Sequence, residues 1–325
     1  MIIKDYKKMK IGELFYMTFK EKLKRNKEKI FIFMLVKTLI ILLIPLAWNF
    51  YKNYREVEEH QIVEDAPEDF IPTFANLHEI NSFDKIQKYV FYIDSGAYVL
   101  EEELNLEKLA ALNLGIRLRG SMPRVLITHT HSQEDFYGGG TVVDVGRHLA
   151  EILVNDFGIS TVHDIGFYDV AYGEITREGA YERMEEGVLR ILEAHPSIEV
   201  IIDLHRDEAP EGVKLSTEID GISTARLMFF NGISRRNVEG VAEELVSLYN
   251  PYKMENLALA LQLFLTSNEK HPGLARRNYI KAYRYSLHLL PRSVLLEVGG
   301  HTNTLEEAKN GAAVFAQLLV SVLTE

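Results

Sequence analysis

The sequence predicts an α/β protein: an open, twisted, mainly parallel sheet with helices on both faces. Three apolar runs carry that prediction. Val125-Leu126-Ile127 runs into His129-Thr130-His131-Ser132-Gln133-Glu134, and Val200-Ile201-Ile202 runs through Asp203-Leu204 into His205. The third, Val294-Leu295-Leu296, ends at Glu297. Short continuous apolar runs suit strands buried on both faces, and the stretches between them carry helical periodicity. Each run delivers a metal-ligand or acid/base residue at its C-terminal end, where open α/β sheets hold their sites.

The chain has 36 basic and 47 acidic residues and a formal net charge of -11, unevenly spread. Residues 1–30 form a basic tail with a net charge of +6. Segment 31–48 is almost wholly apolar, broken by Lys37 and Pro45. It is near the lower limit of the roughly 17–25 residues that cross a bilayer, and Lys37 lies close enough to one end to snorkel. The positive flank predicts an uncleaved signal-anchor: an N-terminal transmembrane helix of a single-pass cell-membrane protein. Its N-terminus is then in the cytoplasm and its catalytic domain outside. Residues 49–76, acidic and carrying Pro67 and Pro72, read as a stalk; 77–119 as a small extension; and 120–325 as the catalytic domain. The extension holds a strand over 89–93 and a helix over 104–114. The acidic exterior argues against a nucleic-acid partner. Zero cysteines exclude thiolate metal ligands and cysteine nucleophiles.

In the domain, the spacing predicts a helix over 142–157 stopped by Gly158, a short strand over 161–163 and a helix over 181–195 closed by Pro196. A strand over 226–230 and helices over 237–249 and 254–268 follow. The last strand leads through a loop to a helix over 305–323, capped by Thr304 with Glu307 completing a capping box.

His131 and Glu134 form a His-x-x-Glu pair able to converge on one zinc ion, with His205 as third ligand and a fourth position for water. His129 competes with His131 as first ligand, and His163 with Glu134 as second. Whichever stands aside is a hydrogen-bonding or substrate-contacting residue. Glu297, a carboxylate at the end of a buried strand, suits general base then general acid catalysis. Arg206 suits a substrate carboxylate or carbonyl, Asp207 the orientation of a ligand histidine, and Asn303 a turn cap or substrate contact. No serine sits in a Gly-x-Ser-x-Gly elbow, so metal-assisted amide hydrolysis is the expected chemistry.

Segments 124–136 (RVLITHTHSQEDF), 142–153 (VVDVGRHLAEIL), 161–164 (TVHD), 199–207 (EVIIDLHRD) and 293–308 (SVLLEVGGHTNTLEEA) together resemble the stage II sporulation protein P family of endospore-forming bacteria. The resemblance implies a zinc-dependent N-acetylmuramoyl-L-alanine amidase fold acting on peptidoglycan, with cross-bridge endopeptidase activity in addition. It implies two partners in engulfment, the lytic transglycosylase stage II sporulation protein D and the membrane protein stage II sporulation protein M. It carries the first metal histidine to the His129-Thr130-His131 segment, the later one to His205 and the catalytic glutamate to Glu297. The alternatives are a zinc carboxypeptidase-like exopeptidase, a non-catalytic peptidoglycan-binding module and a polysaccharide deacetylase.

Overall fold

The computed structural model describes Asp65 and residues 67–210 and 212–324. The helices are α1 (Phe83–Tyr89), α2 (Leu106–Ala110), α3 (Val142–Asn155), α4 (Ala180–Ala194), α5 (Lys253–Lys270) and α6 (Leu305–Leu323). The central sheet takes seven strands: β1 (Phe91–Ile93), β2 (Gly120–Thr128), β3 (Ile159–His163), β6 (Val200–Asp207), β9 (Leu227–Gly232), β12 (Asn278–Lys281) and β13 (Ser293–Gly300). Three hairpins stand outside it: β4 (Val170–Ala171) with β5 (Glu174–Ile175), β7 (Ser216–Ile219) with β8 (Ile222–Ala225), and β10 (Arg235–Val238) with β11 (Val241–Glu244).

The strand order is β1-β12-β9-β13-β6-β2-β3. Every pairing is parallel except β13 with β9. The mainly parallel sheet expected from the sequence is therefore a mixed one, made of two parallel blocks that meet antiparallel at the β13–β9 seam. Strand β9 enters from the β7–β8 hairpin rather than from a helical crossover, which frees it to run the other way.

Strand alternation divides the core. Val125, Ile127, Val200, Ile202, Val294 and Leu296 face one side with α3, α5 and α6, whereas Leu126 and Ile201 face α4 through Met184 and Val188. Helix α3 buries Val142, Val145, Gly146, Leu149 and Leu153, a stripe at helical spacing. Each fully buried aliphatic side chain contributes about 1.5–3 kcal/mol. Helix α6 begins where the capping box places it: Thr304 Oγ1 accepts from Glu307 N at 3.3 Å, and Glu307 Oε2 accepts from Thr304 N at 2.9 Å.

Two local expectations are corrected. Segment 237–249 is no helix but the β10–β11 hairpin and a short 3₁₀ turn. Glu239 and Gly240, both at positive φ, make its two-residue turn, a geometry that excludes helix. The 104–114 helix is reduced to a 3₁₀ turn ending at Leu104 and to α2. Strand β12, flanked by Arg276 and Arg277, gave no apolar signal in the sequence. Segment 77–119 contributes β1 to the sheet edge. It also brings a buried Glu103, which accepts from Arg235 at 2.7 and 3.2 Å and pairs with Lys253.

The N-terminal transmembrane helix, and the single-pass anchoring drawn from it, are also corrected. Among the described residues no helix is long and apolar enough to cross a membrane, and segment 31–48, on which that expectation rested, lies outside them. So does the basic tail. The two longest described helices, α5 and α6, pack against the sheet instead.

Candidate functional site

Strands β2, β6 and β13 lie side by side and parallel, so their C-terminal ends meet at one edge of the sheet. Thr128 registers with Asp203, and His205 with Glu297. Asp203, His205 and Asp207 are spaced by two along β6 and share one face. The loop after β2 closes over them with His129, His131 and Glu134, all buried.

His205 is held between two carboxylates: Nε2 lies 2.9 Å from Asp203 Oδ1 and Nδ1 lies 3.3 Å from Glu134 Oε2. Burial opposes a charge on the imidazole, but Asp203 and Glu134 outweigh it and raise the pKa well above the usual histidine value. The pair of carboxylates favours the charged imidazolium, with Nε2 hydrogen-bonded to Asp203 and Nδ1 within ion-pair distance of Glu134. The carboxylates are paired in turn. Burial would raise Glu134, yet His205 brings it down to about 2, and burial would raise Asp203, yet His205 and Thr130 hold it far below its ordinary value. Asp203 accepts from Thr130 N at 2.9 Å and from Thr130 Oγ1 at 2.7 Å. Glu134 accepts from Arg177 Nη2 and from Arg206 N, each at 3.1 Å.

His129 and His163 form a separate pair. Burial pushes His129 down to about 4 and lowers His163, so both rings are neutral near pH 7. His129 Nδ1 lies 2.9 Å from the Leu204 carbonyl, which can only accept, so its N–H is there. Its Nε2 therefore accepts from His163 Nε2, 2.9 Å away. Gly146 of α3 makes room for this contact: a Cβ there would meet His129 Nε2 at 2.5 Å and His163 Nε2 at 2.8 Å. Gly146→Ala should gain about 1 kcal/mol of helix propensity and still lower stability by about 1–3 kcal/mol through overpacking. A thermal melt at or above wild type would show that the pair yields.

These assignments bear on the expected zinc. Among the described residues no group of three or more His, Cys, Asp or Glu side chains could hold a metal ion, which corrects that expectation. The physical reason is where the lone pairs go. His205 Nε2 is turned to Asp203 and its Nδ1 to Glu134. His129 spends its free nitrogen on His163, and Glu134 and Asp203 are engaged by Arg177, Arg206 and Thr130. His131 alone keeps a buried nitrogen, Nδ1, without a hydrogen-bond partner, and one such nitrogen falls short of the usual three protein ligands. The described cluster therefore does not assemble the expected three-ligand set, and its roles are those of its side chains.

His131, Glu134 and His205 do share one cluster, with the His131 and His205 ring centroids 5.3 Å apart. Burial pushes His131 down to about 4, leaving it neutral. Glu297 is buried beside His205, and its Oε2 has no hydrogen-bond partner. Burial, with Asp207 and Glu134 adding to it against His205, raises Glu297 to about 8. The other predicted residues spread outward. Arg206 Nε donates to the Asp135 carbonyl at 3.0 Å, while its buried Nη1 has no partner. Asp207 pairs with Arg276 at 2.6 Å. Asn303 caps the turn after β13 by accepting from Gly300 N at 2.9 Å.

Reasoning from sequence missed Asp203, Arg177 and Thr130. Asp203 had a signal, since it lies two residues before His205 and so on the same strand face. Arg177 had none, because it arrives from a distant loop.

A family model described as Stage II sporulation protein P (SpoIIP) matches residues 50–320. The Stage II sporulation protein P of Bacillus subtilis (strain 168) is 28% identical over 223 residues, covering 61% of this chain and 52% of that protein. The chain thus spans about half the length of that curated relative. Among solved structures, the N-acetylmuramoyl-L-alanine amidase AmiC2 of Nostoc punctiforme aligns at 17% identity over 62% of this chain and 97% of its own, with a TM-score of 0.38. The CwlD amidase from Clostridioides difficile, in complex with the GerS lipoprotein, aligns at 12% identity over 61% and 96%, with a TM-score of 0.39.

Proposed function

The chain belongs to the stage II sporulation protein P family, and from that premise we propose that it is a peptidoglycan hydrolase that cleaves the amide between N-acetylmuramic acid and L-alanine. The observation that carries this reading is Glu297. A buried carboxyl with a free oxygen, pushed up to about 8 by burial, is mostly protonated at pH 7. Amide hydrolysis needs a proton delivered to the leaving nitrogen, and a protonated buried acid holds one for that step. The proton released by the attacking water then returns to the Glu297 carboxylate, which regenerates the acid. Two further unpartnered buried atoms at the same strand ends support it. His131 Nδ1 suits orientation of the attacking water, and Arg206 Nη1 suits the carbonyl oxygen as charge develops on it.

Mass spectrometry of fragments released from purified peptidoglycan tests the reading. Free stem peptides with complementary bare glycan are expected. Peptides that are only shortened or uncrosslinked would make the chain a peptidase, and no release would overturn hydrolysis. Stage II sporulation proteins D and M are its proposed partners, to be tested by co-purification.

A further inference from the structure

The β4–β5 hairpin is fastened at both legs to the loop that carries the site. On one leg Asp169 accepts from Ser132 Oγ at 2.8 Å and from Gln133 N at 3.0 Å, and its carbonyl accepts from Thr176 N at 2.7 Å. On the other, Arg177 donates to Glu134 at 3.1 Å. Arg183 ties the base together, donating to the carbonyls of Tyr168, Glu178 and Thr176 at 2.7, 3.0 and 3.2 Å. The tip is the two-residue turn Tyr172–Gly173, with φ of 56° and 83°. Such a turn favours asparagine, aspartate or glycine at its first position, and a tyrosine there is strained. Tyr172 is nevertheless fully exposed, so no packing within the fold offsets the strain. Ile175 on the same hairpin is also exposed, at 68%.

A bulky aromatic on a strained backbone, on a rigid base and with nothing to pack against, is aimed at something outside the fold. Only Val170 and Ala171 separate it from Asp169, so its Cα lies within about 10 Å of Asp169, whose side chain holds the loop that carries His131 and Glu134. The exposed charges around it are mainly acidic: Glu174, Glu178, Glu182 and Glu186 are exposed. Arg177 is turned onto Glu134, Arg183 onto backbone carbonyls, and Glu185 is paired with Arg284. That rim repels an anionic lipid surface but not an uncharged sugar, whose apolar C–H face stacks on an aromatic ring.

We propose that Tyr172 is a docking finger for the glycan strand of the substrate, holding the polymer beside the Glu297 end of the sheet. This rests on the peptidoglycan reading above. The test is sedimentation of the full chain with purified sacculi, comparing wild type, Tyr172→Phe and Tyr172→Asn. Tyr172→Phe should bind as wild type does. Tyr172→Asn should bind roughly five- to tenfold more weakly, while its Tm is unchanged or raised by about 2 °C as the turn relaxes. Equal binding by all three would overturn the proposal, as would absence of wild-type binding. A loss confined to anionic phosphatidylglycerol vesicles would overturn it in favour of lipid. If wild type binds through Tyr172 but releases no peptide, the hydrolase reading fails and the docking finger stands.

Discussion

Glu297→Gln should lower stem-peptide release by about 10²–10⁴-fold, the usual worth of a positioned proton donor, and at the same time make the protein more stable at alkaline pH. The two effects share a cause. In the unfolded chain this carboxyl ionises near 4.5, whereas burial in the fold delays ionisation to about 8. Between those values the unfolded state has given up a proton that the folded state keeps. Wild-type stability from this group is therefore full below about 4.5 and is lost as pH rises to about 8. The loss is on the order of 5 kcal/mol. Glutamine has the same shape and no proton to lose. The difference in Tm between variant and wild type should thus be small at pH 4.5 and widen to the order of 10 °C at pH 8. Subtracting the two curves removes every other titrating group. Parallel curves would mean that Glu297 ionises normally, and its assignment as proton donor would fall with them.

What could be read from the sequence followed from whether the signal was local. Helix α6 was legible to its ends, because a capping box at Thr304 and Glu307 and a long apolar stripe are both written in adjacent residues. The ends of β2, β6 and β13 were legible for the same reason, which brought His131, Glu134, His205 and Glu297 to one place. Strand direction was not, since nothing within 227–232 distinguishes a strand that runs with β13 from one that runs against it. The hairpin at 235–244 was hidden by apolar residues that fit a helical pattern until Glu239 and Gly240 take positive φ. The zinc expectation failed at a finer level. Residue types show which side chains own lone pairs, but only the folded geometry shows that His205 lies between Asp203 and Glu134.

Asp203 is where that geometry can be broken. It is fully buried, and its carboxylate gathers three hydrogen bonds: Thr130 N, Thr130 Oγ1 and His205 Nε2. Asp203→Ala should lower stability by about 3–5 kcal/mol, because it leaves a buried imidazolium facing Glu134 alone and orphans two Thr130 donors. Asp203→Asn separates those two losses. Its amide oxygen can still accept from Thr130 N and His205, and the Thr130 hydroxyl can turn to accept from the amide nitrogen. What disappears is the charge. A cost of about 2–3 kcal/mol is expected, and it should shrink by at least 1 kcal/mol in a His205→Gln background, where there is no cation left to strand. Chemical denaturation of the four proteins of that cycle measures the coupling directly. If the two substitutions simply add, Asp203 and His205 do not act as an ion pair, and the charged state assigned to His205 is wrong. If they couple, the cluster behind Glu297 is held together by a buried cation between two carboxylates, and Glu297 stays protonated because a third carboxylate charge there would find no partner.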